Sequence, residues 1–204
     1  MSQADDALQR LKDGNQRFVN ETRSGNASAE SRRREVAAGQ NPFAIILGCS
    51  DSRVPAEIVF DQGLGDLFVI RVAGNIVAPS QIGSVEFAVA RYDVKLVVVL
   101  GHSSCGAILA TIEELGRRSE EQSRNLRSIV NRVRPSVEPL MATELRHDHE
   151  ALVQAAVRAN ILASSNQLRH GSEMIEQMIQ TDGLRVVGAE YSLESGIVEF
   201  FDTL

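Results

Sequence analysis

The 204-residue chain contains two cysteines, and each stands among other reactive side chains. The first segment is Cys49-Ser50-Asp51-Ser52-Arg53-Val54-Pro55, and the second is His102-Ser103-Ser104-Cys105-Gly106. Each follows a short apolar run ended by glycine, Phe43 to Gly48 and Lys95 to Gly101. Such runs are the pattern of strands buried on both faces of a parallel sheet. In an open α/β sheet the functional edge lies beyond the C-terminal ends of the strands. If the two strands are neighbours, Cys49, His102 and Cys105 converge there. Two thiolates and one imidazole make a three-ligand zinc set with its fourth position free, the catalytic rather than the structural pattern. Free cysteines are often just small buried hydrophobes, but the flanking Asp, Arg and His argue against that here.

His102 and Cys105 sit across a strand-to-helix corner, which lets both face one point. Cys105 falls at the first turn of its helix, where the partial positive charge favours a thiolate. Asp51 and Arg53 read either as a helix N-cap with a surface arginine or as a charge-paired dyad beside the metal. An ionised aspartate only accepts hydrogen bonds. Held by Arg53, Asp51 would accept from a zinc-bound hydroxide and aim its lone pair at a substrate. Released, it would swing onto the zinc and fill the open position. A zinc ion with two thiolates and a neutral imidazole is formally uncharged, so it acidifies water less than a three-histidine site. Activity is therefore expected to rise through the neutral-to-alkaline range.

The elements that position these residues follow from periodicity. An amphipathic helix is expected over residues 5 to 20, then a glycine-containing turn from Thr22 to Ala27 and a short helix from near Ser28. Arg32-Arg33-Arg34 reads as a solvated helix face or subunit contact. Strands are expected at Phe43–Gly48, Asp66–Val72, Lys95–Gly101, Leu184–Ala189 and Ile197–Phe201. Helices are expected at Pro55–Phe60 (a short turn), Gln81–Tyr92, from Gly106 onward, over 147–168 and at Ser172–Gln180. Residues 117 to 147 read as polar and helical, interrupted at Pro135 and Pro139. The fold class is α/β: a single domain whose mostly parallel central sheet has four parallel strands plus a C-terminal edge strand. Helices flank it, with an N-terminal helical arm (1–40) ahead of the zinc-binding catalytic body (41–204).

Composition sets the outer limits. A hydrophobic fraction of 43% with 24% charged residues is that of a soluble globular protein. A net charge of -6 opposes a nucleic-acid partner, whose phosphates would repel it. No run approaches a membrane span, and the polar start Met1-Ser2-Gln3-Ala4-Asp5-Asp6 is no signal peptide. Unpaired thiols then fit a reducing cytoplasm. His147 and His149 are two apart and face different helix sides, so with His170 they read as surface or packing residues.

On these motifs the chain resembles the β-class carbonic anhydrases. The resemblance also rests on Arg71 with Gly74-Asn75, the Gly83-to-Val89 segment, Leu100 to Ala107, and Gly188-Ala189-Glu190-Tyr191. It implies one Zn²⁺ per chain on Cys49, His102 and Cys105, with Asp51 as a further ligand in a closed state only. It implies Asp51 and Arg53 as the catalytic dyad, and Gln40, Phe68 and Phe87 as substrate-binding residues. The activity implied is reversible hydration of CO₂ to bicarbonate and a proton, by a homodimer or dimer of dimers whose N-terminal helices reach over a neighbouring subunit. One family branch has a non-catalytic bicarbonate pocket of tryptophan, arginine and tyrosine. Arg71 and Tyr191 match two positions, but Ile46 stands where tryptophan would be, against that regulation. Hydrolysis of carbonyl sulfide or carbon disulfide, and a structural or redox-sensing zinc site, are the alternatives.

Overall fold

The computed structural model describes residues 2–22, 30–116 and 123–201. Five strands form one sheet in the order β2-β1-β3-β4-β5, with β1 Ala44–Gly48, β2 Leu67–Arg71, β3 Leu96–His102, β4 Arg185–Tyr191 and β5 Val198–Phe201. The first four run parallel and β5 pairs antiparallel with β4. This is the expected α/β class, including the C-terminal edge strand. The two strands that carry the reactive segments are direct neighbours, with Gly48 of β1 opposite Leu100 of β3.

Alternation along the central strands divides the interior in two. Ile45, Leu47, Val97 and Val99 pack on one face with α4 (Pro79–Tyr92), α5 (Gly106–Gly116), α6 (Arg124–Met141), α7 (His149–His170) and α8 (Glu173–Thr181). Ala44, Ile46, Leu96, Val98 and Leu100 pack on the other, with α1 (Gln3–Val19) and α3 (Ala56–Val59). Both faces are covered, so Ala44–Leu47 of β1 and Leu96–Leu100 of β3 are apolar at every position, the pattern of buried parallel strands. The expected N-terminal arm holds α1 and α2 (Glu30–Val36). Helix α1 is docked on its own chain's sheet through Leu8 and Leu11. Buried Asn15 fastens it: its Nδ2 donates to Val59 O at 3.1 Å and Gly196 O at 2.9 Å, and its Oδ1 accepts from Val198 N at 2.9 Å.

Two local expectations change. The interruption expected at Pro135 and Pro139 does not occur; α6 runs unbroken through both. The two prolines are four apart on one exposed face, so the carbonyls that lose an N–H partner turn to water, while Val130, Val133 and Val137 pin the opposite face. The helix expected over 147–168 starts and ends later, at His149–His170, because Asp148 caps it and a 3-10 turn, Glu144–His147, precedes it. The turn expected from Thr22 to Ala27 and the beginning of the next helix lie almost wholly outside the described residues, as do residues 117–122. Arg32 is bound within the chain, donating to Leu64 O at 2.9 Å and Asp66 Oδ1 at 2.9 Å. Among the described residues no helix is long and apolar enough to cross a membrane.

Candidate metal centre

Beyond the C-terminal ends of β1 and β3, one ligand atom each from Cys49, His102 and Cys105 lies within 4.8 Å of the others, and all three residues are buried. Cys49 is the first residue after β1, and His102 ends β3. Ser104 then takes a left-handed φ of 53°, turning the chain so that Cys105 lies at the start of α5. The corner places both ligands of the second segment toward one point, and parallel pairing of β1 with β3 brings the first segment to it.

The chemistry of the donor set fits a zinc ion. The two Sγ atoms are 4.0 Å apart, far outside a disulfide bond. Zinc–thiolate bonds of about 2.3 Å at a tetrahedral angle put two sulfurs about 3.8 Å apart. His102 is fully buried, its Nδ1 lies 2.9 Å from Ser103 O, and its Nε2 has no partner. A carbonyl only accepts, so Nδ1 carries the proton and donates it. The lone pair on Nε2 is thus left buried and unpaired among the sulfurs. Orphaned groups of this kind are costly unless something fills the gap, and a metal ligated at Nε2 is what a backbone-bonded Nδ1 prepares for.

One of the two sulfurs is favoured as a thiolate. The Cys49 thiol is drawn well below the ordinary thiol range, first by the hydrogen bond from Cys105 and then by donors that include the backbone N–H groups of Asp51 and Gly74. Cys105 is pushed up, first by sharing its proton with Cys49 and then by burial, although the N–H groups of Ile108 and Ala107 at the start of α5 point at it. A pair of this kind loses one proton readily and holds the second against like-charge repulsion, which a divalent cation removes.

Asp51 lies beside the ligands. Arg53 grips it with a fork: Nε donates to Oδ1 at 2.9 Å and a terminal nitrogen to Oδ2 at 2.7 Å, while the Arg53 backbone N–H donates to Oδ1 at 3.0 Å. These bonds hold the Asp51 carboxyl well below the usual carboxylate range. Oδ2 is 3.9 Å from His102 Nε2, too far for a hydrogen bond but within the same small space.

Three further expected residues are placed elsewhere. Gln40 donates to the Tyr92 hydroxyl at 2.8 Å, and the rings of Phe68 and Phe87 lie 6.1 and 6.0 Å from that of Tyr92. They therefore gather around Tyr92 rather than at the Cys/His cluster. Arg71, matched in sequence to a bicarbonate pocket, grips the metal loop instead: Nε donates to Cys49 O at 2.9 Å and a terminal nitrogen to Asp51 O at 2.5 Å. Tyr191 is buried on the face of the sheet that also holds Ile46, and burial raises its hydroxyl pKa. His147 accepts from Arg146, His170 lies 3.6 Å from Glu176, and His149 lines a cleft of about 550 Å³ whose wall also includes Ser103 and Ser104. Sequence reasoning missed Arg71's grip on the loop and the aromatic grouping at Tyr92, because neither shows a spacing signal.

The fold and this donor set define a class: an α/β protein with a buried Cys₂His cluster that could hold a metal ion and a carboxylate–guanidinium pair beside it. A sequence profile described as "Carbonic anhydrase" matches residues 44–198. Carbonic anhydrase 2 of Mycobacterium tuberculosis is 39% identical over 198 residues, covering 93% of this chain and 89% of that one. Among solved structures, a tetrameric β-carbonic anhydrase of Sordaria macrospora superposes with a TM-score of 0.72 at 26% identity, covering 83% of this chain and 85% of that one. The β-carbonic anhydrase CafA of Aspergillus fumigatus superposes with a TM-score of 0.71 at 27% identity, covering 97% and 90%. The chain belongs to the β-carbonic anhydrase family, a family of zinc-using lyases, and Cys49, His102 and Cys105 are the cluster that can hold the metal.

Proposed function

We propose that the protein catalyses the zinc-dependent, reversible hydration of CO₂ to bicarbonate and a proton. The observation that carries this reading is the buried, unpaired Nε2 of His102 facing two sulfurs, with Asp51 fixed 3.9 Å away by the Arg53 fork. Zinc held by Cys49, His102 and Cys105 supplies Lewis acidity that makes water a nucleophile near neutral pH. Asp51, ionised and therefore acceptor-only, takes a hydrogen bond from the attacking water oxygen and turns its lone pair toward carbon. Arg53 keeps the carboxylate on that axis and ionised. The closed arrangement, with Asp51 as fourth ligand, requires the fork to open. After attack, the water contributes OH to bicarbonate and its remaining proton leaves to solvent or buffer.

Gln40, Phe68 and Phe87 complete the site in this reading from a second copy of the chain. They lie together around Tyr92, with Phe87 exposed, and the Sordaria relative is tetrameric. Phe87→Glu is expected to give a monomer without activity; a fully active monomer would refute this arrangement.

The first test is stopped-flow CO₂ hydration at pH 7 and 8.5 on protein of known zinc content. Rapid hydration, faster at pH 8.5, is expected, since two thiolates cancel the charge that would otherwise acidify water further. Full zinc with no hydration at either pH would overturn the reading.

A further inference from the structure

Helix α7 presents a buried stripe to the sheet that includes Leu152, Val153, Ala156, Val157, Ile161 and Leu168, with Asn160, Ser164 and Ser165 as its polar members. Asn160 is 2% exposed, and its Nδ2 donates to Gly74 O at 2.8 Å. Gly74 in turn donates its N–H to Cys49 Sγ at 3.4 Å. The glycine holds a left-handed φ of 69°, and a Cβ there would meet the Ala107 Cβ at 3.0 Å and the Val133 Cγ2 at 3.4 Å. Ala107 lies on the α5 turn that begins beside Cys105. One glycine thus packs between the two ligand segments, with its carbonyl tied to α7 and its amide on a sulfur.

We propose that Asn160 is a positioning residue for the metal centre, holding the Gly74 backbone so that its N–H stays on the Cys49 sulfur. The inference rests on the metal reading given under Proposed function. Glycine's backbone is the least restricted of any residue, so the Gly74 amide has no side chain of its own to set its direction. In an apolar stripe a leucine would pack at position 160 without needing a partner. The amide is satisfied there only through Gly74, so its hydrogen bond to that carbonyl is the specific interaction it adds. An N–H donated to a thiolate withdraws charge from sulfur and orients its remaining lone pairs. Groups that orient a metal ligand in this way typically contribute about 10- to 100-fold in metal affinity.

The test is zinc affinity by competition with a chromophoric chelator, with the sulfur-to-cobalt charge-transfer band of the Co²⁺-substituted protein as a second readout. Asn160→Leu keeps the volume and removes the donor. It is expected to bind zinc about 10- to 100-fold more weakly and to shift the band. Leu168→Ala, on the same stripe but away from Gly74, is expected to lower the melting temperature of the metal-free protein and leave zinc affinity alone. Zinc affinity of Asn160→Leu within twofold of the wild type, with an unshifted band, would overturn the proposal. Equal weakening by Leu168→Ala would also overturn it, by showing that helix stability alone matters. If Asn160→Leu does not fold, Asn160→Ala is read by the same two measurements. A wild-type protein that binds no zinc refutes the metal reading itself, a distinct result.

Discussion

Replacing Arg53 with lysine tests whether the carboxylate beside the metal centre must be held by a planar fork. Lysine keeps the positive charge, and the backbone N–H of residue 53 remains on Asp51. What is lost is one of two side-chain bonds, now made by Nε at 2.9 Å and a terminal nitrogen at 2.7 Å. A hydrogen bond to a charged group contributes about 1.5–3 kcal/mol. The Arg53 side chain is 54% exposed, so water competes for the same oxygens and weakens each bond. Loss of one such bond is expected to give roughly a 5- to 30-fold fall in kcat/KM. The assay is stopped-flow hydration with a pH indicator, at equal zinc content. Asp51→Asn should fall further, and the double variant should be no slower than Asp51→Asn alone, because the arginine acts through the aspartate. Two outcomes would refute the reasoning: Arg53→Lys turning over within twofold of the wild type, or the two single effects multiplying in the double variant.

Two further predictions concern stability. Asp51 has a folded-state pKa below its unfolded value, so it contributes stability that is present above the unfolded pKa of about 3.9 and fades as pH falls toward the folded one. Thermal unfolding of metal-free protein should therefore show Asp51→Asn less stable than the wild type at pH 7, with the gap closing below about pH 3.9; a gap that widens in acid would contradict this. At Gly101 a Cβ would lie 2.5 Å from both Cγ1 and Cδ1 of Ile161. Gly101→Ala should thus cost about 1–3 kcal/mol by overpacking. Adding Ile161→Val, which removes Cδ1, should recover part of the loss in melting temperature; simple additivity of the two losses would show that the clash is relieved elsewhere.

Much of the fold was legible because parallel strands buried on both faces leave a direct trace. Ile45-Ile46-Leu47 and Val97-Val98-Val99 are apolar at every position, and each run ends where a reactive segment begins. The caps were weaker guides: Asp148 moved the start of α7 past the boundary expected from apolar spacing. Pro135 and Pro139 misled because a proline costs a helix most where its freed carbonyl is buried, and sequence spacing says nothing of which way that carbonyl faces.

By itself the sequence determined the donor types, their order and their attachment to strand ends, since these are properties of local chain chemistry. It also carried the Asp51–Arg53 pair, because two residues so close in sequence meet through their own loop. Tertiary structure decided what depends on distant segments arriving together. It set the 4.0 Å approach of the two sulfurs and the unpaired Nε2 between them. It brought Arg71 onto the metal loop and Asn160 onto Gly74, and it gathered Gln40, Phe68 and Phe87 at Tyr92. The physical reason is that a ligand's identity is encoded in one residue, whereas its orientation depends on hydrogen bonds from strands and helices far away in the chain.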